Sequence, residues 1–170
     1  MSPFSAQELR VVAADHSSTI PLTHPEAFGH WLSGFVDGEG HFGLTKQKGR
    51  PYCAYFTIGL RADDGAILEQ IQTFLECGKI DRERRRHNYR VFNTWDLVSR
   101  VTRQFDRFPL RAKKARDFNT WKIAVILIHE IHQRNPVRWS ATDSERLAVF
   151  KRELKEGRAF VPCAEEQIHS

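Results

Sequence analysis

The strongest constraint on this chain is the segment 32–40, in which a helical pattern ends at two acidic residues that are separated and followed by glycine. Upstream of it, Thr23 and Glu26 form a capping box, and apolar residues then recur at helical spacing. Glycine interrupts a helix and allows an abrupt change of chain direction. The sequence therefore predicts a helix over about 24–38 that presents Glu39 at the start of a strand.

One stripe of this predicted helix carries small and polar side chains. His30, Ser33, Gly34 and Asp37 follow one another at i, i+3, i+4 and i+7, which places them on a single helical face. The missing bulk at Ser33 and Gly34 permits the backbone of another helix to approach closely. Because the segment occurs once in the chain, we expect the second helix to come from an identical subunit. These four residues are the predicted interface of a homodimer.

Glu39 has the chemistry of a ligand for a hard metal ion. Magnesium prefers carboxylate and backbone carbonyl oxygens, and a flanking glycine leaves such groups accessible. A single carboxylate binds magnesium weakly. If the stripe packs against a second copy, two Glu39 side chains converge, so the metal site and the dimer would form together.

The rest of the chain alternates between strand and helix periodicity. Antiparallel strands covered by helices on one face are typical of an α+β domain. The predicted elements are a hairpin over about 41–45 and 52–61, a helix from Asp63 or Asp64 to Gly78, a hairpin over 79–84 and 89–94 with its turn at 85–88, a short helix ended by Pro109, a longer helix over 118–131, and a last helix from a capping box at Thr142 and Glu145 to Gly157.

Length and composition favour one folded domain. We expect an N-terminal extension over 1–22, a domain over 23–157 and a C-terminal tail over 158–170. No apolar run approaches the roughly 20 residues that span a bilayer, and three scattered cysteines indicate neither disulfides nor zinc. The expectation is a soluble intracellular protein, in a bacterial cytoplasm or an organelle, that does not associate with membranes.

Positive charge is concentrated in one part of the chain. Residues 79–116 contain 13 Lys and Arg against 4 Asp and Glu, whereas the remainder of the chain is net acidic. Clustered Lys and Arg neutralise backbone phosphates in nucleic-acid complexes. A solvated basic surface is the alternative interpretation.

A second motif lies near the end of the predicted long helix. His129, Glu130 and His132 superficially suggest a zinc protease, but the histidines lie three residues apart rather than four. We therefore do not expect a zinc site there.

The segment 32–40 resembles the LAGLIDADG motif at every position by residue class, with Glu39 as its second acid. Weaker matches extend the resemblance over about 25–132, and they comprise Phe56, Ile58, Asp63, Tyr89, Asp96, Leu97, Pro109, Leu110, Lys113, Lys114, Asp117, Phe118 and Trp121. The chain thus resembles a single-motif, homodimeric LAGLIDADG homing endonuclease.

This resemblance implies an αββαββα core, followed by C-terminal helices, whose saddle-shaped antiparallel sheet lies in the major groove of double-stranded DNA. It also implies an activity: metal-dependent hydrolysis of both strands at a long pseudo-palindromic site, leaving 3′ overhangs and promoting intron mobility. The implied cofactor is Mg²⁺ or Mn²⁺, with Ca²⁺ as a substitute that does not support cleavage.

The resemblance further assigns roles to residues near the motif. Glu39 and the carbonyl of Gly38 would bind metal, and Lys113 would assist catalysis, with Lys114 as the alternative lysine. Asp37 would cap or bridge the interface helices instead of binding metal. The residues expected to contact DNA are Thr45, Gln47, Tyr55, Thr57, Arg61, Arg82, Arg84, Arg85, Arg86, Asn88, Arg90 and Lys114.

One position departs from the family pattern. Leu60 stands where some relatives carry a polar residue, often Gln, near the end of the second strand. Either Arg61 replaces that function or cleavage is impaired. The alternative function is accordingly a catalytically impaired DNA- or RNA-binding protein, such as an intron maturase or a regulator. The retained acid Glu39 argues against it, because binding alone does not require a carboxylate beside phosphates.

Overall fold

The computed structural model describes residues 24–46, 48, 51–134 and 139–159. Helix and strand pairs alternate as the periodicity predicts, which confirms the α+β class. The elements are α1 (Pro25–Glu39), β1 (Gly40–Lys46), β2 (Tyr52–Arg61), α2 (Gly65–Leu75), β3 (Lys79–Arg82), β4 (Arg86–Val91), α3 (Thr94–Asp96, the π-helical turn Leu97–Val101 and Thr102–Arg107), α4 (Lys114–Arg134) and α5 (Ala141–Ala159).

The four strands form one antiparallel sheet in the order β1-β2-β4-β3. Phe56 of β2 pairs with Phe42 of β1 on one side and Val91 of β4 on the other, and all three are buried. Alternate residues point to opposite faces of a strand. One face of the sheet therefore belongs to the hydrophobic core, while the other carries polar residues and is not covered by any described element.

Aromatic side chains make up the centre of the core. The Phe42 ring contacts Phe56, Phe105, Phe118 and Trp121 at centroid distances of 5.0 to 5.6 Å. Trp121 also donates a hydrogen bond from Nε1 to the carbonyl of Gly43. These contacts hold α3 and α4 against the same face of the sheet, so the opposite face stays open.

None of the described helices has the length and apolarity needed to cross a membrane.

The turn of the second hairpin was predicted in the wrong place. Residues 86–88 belong to β4, and the connection between β3 and β4 is the shorter segment 83–85. Arg86 pairs with Arg61, so β4 extends along β2 to its end. The hydrogen bonds of this pairing outweigh the turn preference of the Asn88 side chain.

The start of α5 was also predicted wrongly. Ser140, not Thr142, precedes the helix as its cap: its Oγ accepts a hydrogen bond from the Asp143 amide at 3.0 Å and donates one to the Asp143 carboxylate at 2.8 Å. Thr142 is exposed within the helix. At the other predicted capping box, His24 precedes α1 without a side-chain cap, and Thr23 lies outside the described residues.

Replacing Ser140 with Ala is expected to lower the free energy of unfolding by about 1 kcal/mol, because it removes the cap of α5. The hydrogen bond from the Ser140 hydroxyl lowers the pKa of Asp143. The stability that the Asp143 carboxylate contributes is therefore fully present above its ordinary pKa of 3.8 and is lost as the pH falls through the lowered pKa. Urea denaturation at pH 7 measures the difference. Thr142→Ala is the matched control, and an equal loss in that variant would contradict the assignment.

Candidate active site and nucleic-acid interface

The motif segment forms the end of α1 and its junction with β1. Gly40 adopts an extended conformation, and its amide donates a hydrogen bond to the carbonyl of Val36. A side chain on Gly40 would overlap Val36, so glycine is required for this junction. Glu39, the last residue of the helix, is exposed and makes no hydrogen bond or ion pair with any described residue. Its carboxylate is therefore available to an external ligand.

Two adjacent lysines near the motif, Lys113 just before α4 and Lys114 at its first position, have different surroundings. Lys114 donates from Nζ to the carbonyl of Asp37 at 3.1 Å and to the carbonyl of Gly38 at 3.0 Å. A cation is favourable there, because carbonyls without helical partners give the end of α1 partial negative charge. Lys113 is exposed, and its ammonium has no partner within the described part of the chain. Lys114 thus holds the end of the motif helix, and Lys113 lies beside it with a free ammonium group.

Asp37 anchors the loop that leads into α4. Its Oδ2 accepts hydrogen bonds from the amides of Arg111 at 2.8 Å and Ala112 at 3.1 Å. Its Oδ1 is buried and has no partner among the described residues. The expected structural role therefore has a counterpart within a single chain, where Asp37 links α1 to a loop of the same subunit.

The predicted interface stripe is only partly available to a second chain. Ser33 is buried, with its Oγ 2.5 Å from the carbonyl of Phe108 and 3.2 Å from that of Gly29. His30 and Gly34 are exposed. A side chain added to Gly34 or Gly38 would meet no atom within 4 Å. The open stripe therefore comprises His30, Gly34 and Gly38, and Ser33 belongs to the interior.

The uncovered face of the sheet, here called the open face, brings together most of the predicted DNA-contacting residues. Strand alternation and pairing place on it His41, Thr45, Cys53, Tyr55, Thr57, Arg61, Lys79, Asp81, Arg86, Asn88 and Arg90. Of these, His41, Cys53, Lys79 and Asp81 were not singled out from the sequence. Extending the period-two alternation along every strand would have found them.

Four predicted DNA contacts lie elsewhere. Arg82 is on the helix-covered side of β3, where it forms a 2.7 Å ion pair with Glu69 of α2. Arg84 and Arg85 are exposed in the turn between β3 and β4. Lys114 is at the end of α1 instead of on the sheet. Gln47 lies outside the described residues.

The arginines of the open face are held by contacts within the chain. Arg90 pairs with Asp81 at 2.9 Å, Arg61 pairs with Asp63 at 3.1 Å, and Arg86 donates to the carbonyl of Gly59 at 3.2 Å. The two ion pairs are largely exposed, and such pairs contribute at most about 1 kcal/mol to stability. A phosphate could replace these partners at little cost.

The other reactive groups of the described residues lie apart from one another. Among the described residues, no group of three or more His, Cys, Asp and Glu could hold a metal ion. His129 contacts Trp95 and Gln133, whereas His132 contacts Trp139, so the two histidines face different partners. Burial raises the pKa of the Cys53 thiol, which keeps it protonated at neutral pH.

A family model described as LAGLIDADG endonuclease matches residues 32–125, which is more than half of the chain. The chain therefore belongs to the LAGLIDADG endonuclease family, as the motif predicts.

Curated relatives share this region. The chain is 35% identical over 94 residues to a probable intron-encoded DNA endonuclease 1 of Mycosarcoma maydis, covering 54% of this chain and 32% of that protein. It is 27% identical over 136 residues to a probable intron-encoded endonuclease Cox1-I1b of Schizosaccharomyces pombe, covering 76% of this chain and 35% of that protein. The chain thus spans about one third of the length of these relatives.

Solved structures have the same fold. The meganuclease I-AabMI, bound to uncleaved DNA, superposes with a TM-score of 0.59 at 31% identity, over 64% of this chain and 39% of that chain. The homing endonuclease I-SmaMI, bound to cleaved DNA, gives 0.66 at 21% identity over 91% and 53%. The homing endonuclease I-TnaI gives 0.63 at 22% identity over 82% and 96%. The α+β fold is therefore that of LAGLIDADG meganucleases.

Proposed function

We propose that this chain is one subunit of a homodimeric, site-specific endonuclease that cuts both strands of a long pseudo-palindromic DNA site, leaves 3′ overhangs and thereby promotes intron mobility. The observation that carries the proposal is the exposed, unpartnered Glu39 carboxylate at the end of an open glycine stripe. Membership of an endonuclease family and the names of the intron-encoded relatives support it.

The residues around Glu39 fit a divalent metal ion. The Glu39 carboxylate and the Gly38 carbonyl are hard oxygen ligands, and the ammonium of Lys114 on that carbonyl shows that the position attracts cations. Glu39 and Gly38 would hold Mg²⁺ or Mn²⁺ together with phosphate oxygens of the DNA. When bound, such an ion polarises a phosphodiester and lowers the pKa of an attacking water. Ca²⁺ is expected to bind without supporting cleavage.

A dimer explains the bare face of α1. Glycine destabilises a helix interior by about 1 kcal/mol relative to alanine. Among the described residues nothing requires glycine at Gly34 or Gly38, because a Cβ atom added at either position would meet no atom within 4 Å outside its own helix backbone. Close packing of α1 against its copy supplies the missing reason, and it would bring two Glu39 carboxylates towards one axis. This chain covers 53% of the I-SmaMI chain, which is consistent with an enzyme built from two such units.

The open face is the proposed DNA-binding surface. Its exposed arginines and its polar Thr57 and Asn88 supply phosphate contacts and base-edge hydrogen bonds, which are the two kinds of contact that position a protein and read sequence. Two neighbouring structures of the same fold are bound to DNA. Double-stranded DNA is therefore the proposed partner, and two similar half-sites follow from the symmetry of a homodimer.

The direct test uses duplex DNA that carries the intronless form of the locus into which the gene is inserted. Cleavage of both strands with Mg²⁺, absent with EDTA or Ca²⁺, is the expected result. Mapping the cut ends by primer extension should give 3′ overhangs. Binding without any cutting in Mg²⁺ and in Mn²⁺ would contradict the proposed activity.

Substitutions of Lys113 and Lys114 are expected to have different effects. Lys113→Met should slow cleavage about 100-fold without changing the melting temperature, because the Lys113 ammonium has no partner among the described residues and is proposed to stabilise transition-state charge. Lys114→Met should lower the melting temperature, because it removes two hydrogen bonds at the end of α1. Single-turnover kinetics and calorimetry measure the two effects. Wild-type cleavage by Lys113→Met would contradict its catalytic assignment.

One observation favours a function in binding alone. Leu60 packs against the hydrophobic core, so position 60 places no polar group on the open face. Arg61 does lie on that face, with its side chain 82% exposed, and is the proposed replacement. If the wild-type chain binds duplex DNA or structured RNA tightly but cuts neither strand in Mg²⁺ or Mn²⁺, the chain is a maturase or regulator on the same fold.

A further inference from the structure

Three aromatic rings form a row across the open face. His41 lies on β1, Tyr55 on β2, and Phe92 directly follows β4. The rings of His41 and Tyr55 have centroids 5.6 Å apart, and the Tyr55 hydroxyl lies 3.3 Å from Nε2 of His41. The Phe92 ring is 5.8 Å from that of Tyr55. The row therefore crosses three strands of the surface proposed to meet DNA.

The sequence provides space for this arrangement. Gly43 is the β1 partner of Tyr55, and any side chain on Gly43 would overlap the Tyr55 ring. The tyrosine ring thus lies across β1 over a glycine, where it is half-buried and leaves its neighbour Phe92 at the surface. This use of Gly43 fixes the position of the row.

Phe92 is exposed at the end of the open face. The residue is 52% exposed, because strand alternation turns it to the open face while its neighbour Val91 points into the core. It lies between two recesses, one of about 400 Å³ that includes Thr45 and Cys53 and one of about 460 Å³ that includes Lys79 and Arg90. Its ring therefore offers an apolar contact on a face that otherwise carries mainly polar residues.

The chemistry of the DNA major groove restricts what such a ridge can recognise. Base edges there present donors and acceptors, and the one apolar group is the 5-methyl of thymine. Phe92 and the edge of Tyr55 offer only apolar contact at this point, and Arg90 and Asn88 supply hydrogen bonds nearby. We infer that Phe92, supported by Tyr55, recognises the 5-methyl group of a thymine in each half-site. This inference rests on the proposed function, because it requires the open face to lie in the major groove.

The test removes the methyl group alone. A duplex selected from a randomised pool by the wild-type protein is resynthesised with deoxyuridine at one thymidine position at a time, and binding is measured by fluorescence anisotropy in Ca²⁺. We expect uracil at one thymidine position of a half-site to raise the dissociation constant about fourfold, which is the effect of losing the burial of one methyl-sized group. Phe92→Ala should bind the thymine and uracil duplexes equally.

A matched control is the other large exposed aromatic residue nearby. Trp95 is 61% exposed, but its ring packs against His129 of α4, away from the row. Trp95→Ala should therefore keep the thymine preference. If uracil has no effect at any position, or if Phe92→Ala retains the preference, the inference is wrong while the proposed function stands. If no duplex is enriched, both fail. The uracil measurement uses the wild-type protein, so it does not depend on the folding of a variant.

Discussion

Replacing Glu39 with Gln is expected to eliminate cleavage of both strands and to leave binding of the duplex intact. The substitution preserves size but removes the negative charge that the proposed metal ion requires, and the loss of such a group lowers the cleavage rate on the order of 10²- to 10³-fold. Because the Glu39 side chain makes no hydrogen bond or ion pair with the described residues, folding should not change. Single-turnover cleavage in Mg²⁺ and anisotropy in Ca²⁺ measure the two properties separately.

Glu130 provides the matched control for this experiment. It is also an exposed glutamate on a helix, but it lies on α4, away from the motif. Glu130→Gln should cleave at the wild-type rate. Undiminished cleavage by Glu39→Gln would exclude Glu39 as the metal ligand, and an equal loss in both variants would show a general charge effect instead of a specific site.

Replacing Gly34 with Leu is expected to convert the proposed dimer to a monomer. A leucine on the open stripe would hold two copies of α1 apart, and overpacking of this kind costs about 1 to 3 kcal/mol, or roughly 5- to 150-fold in the dissociation constant. Cleavage should be lost with the dimer. Sedimentation velocity over a range of protein concentrations measures the dissociation constant directly.

The same substitution should have the opposite effect on a single subunit. A Cβ atom added at Gly34 meets no atom of the described residues within 4 Å outside its own helix backbone, and leucine favours a helix over glycine by roughly 0.8 kcal/mol. The isolated subunit should therefore be slightly more stable to urea. Ala148→Leu, at an exposed position of α5, is the control and should remain dimeric. A dimer of undiminished affinity in Gly34→Leu would show that α1 does not form the interface.

The sequence by itself determined the order and type of the elements. Their periodicities are local, since side chains repeat every 3.6 residues on a helix and every two on a strand. The same reasoning located Glu39 one residue beyond the helix, whereas the structure has it exposed as the last residue of α1. The alternation along β2 likewise placed Tyr55 and Thr57 on the face opposite the core. Such conclusions need only the chain within about ten residues.

Local turn signals were less informative where strands pair. Asn88 has a high preference for turns, yet it lies in β4 because Gly59 of β2 is its partner. Thr142 and Glu145 satisfy the spacing of a capping box, but Ser140 caps the helix. In both places the sequence was compatible with more than one turn or helix start, and hydrogen bonding and packing determined which one formed.

Only the tertiary structure decided which side chains meet. Ser33 was expected at an interface, but the carbonyl of Phe108, 75 residues away, lies against its hydroxyl and buries it. Lys114 contacts the motif helix because α4 begins beside the end of that helix. Two lysines adjacent in sequence give no indication of which of them makes this contact. Arg82 was indistinguishable from its arginine neighbours until the register of β3 turned it towards Glu69. Periodicity defines directions within an element, whereas contacts depend on how the elements pack.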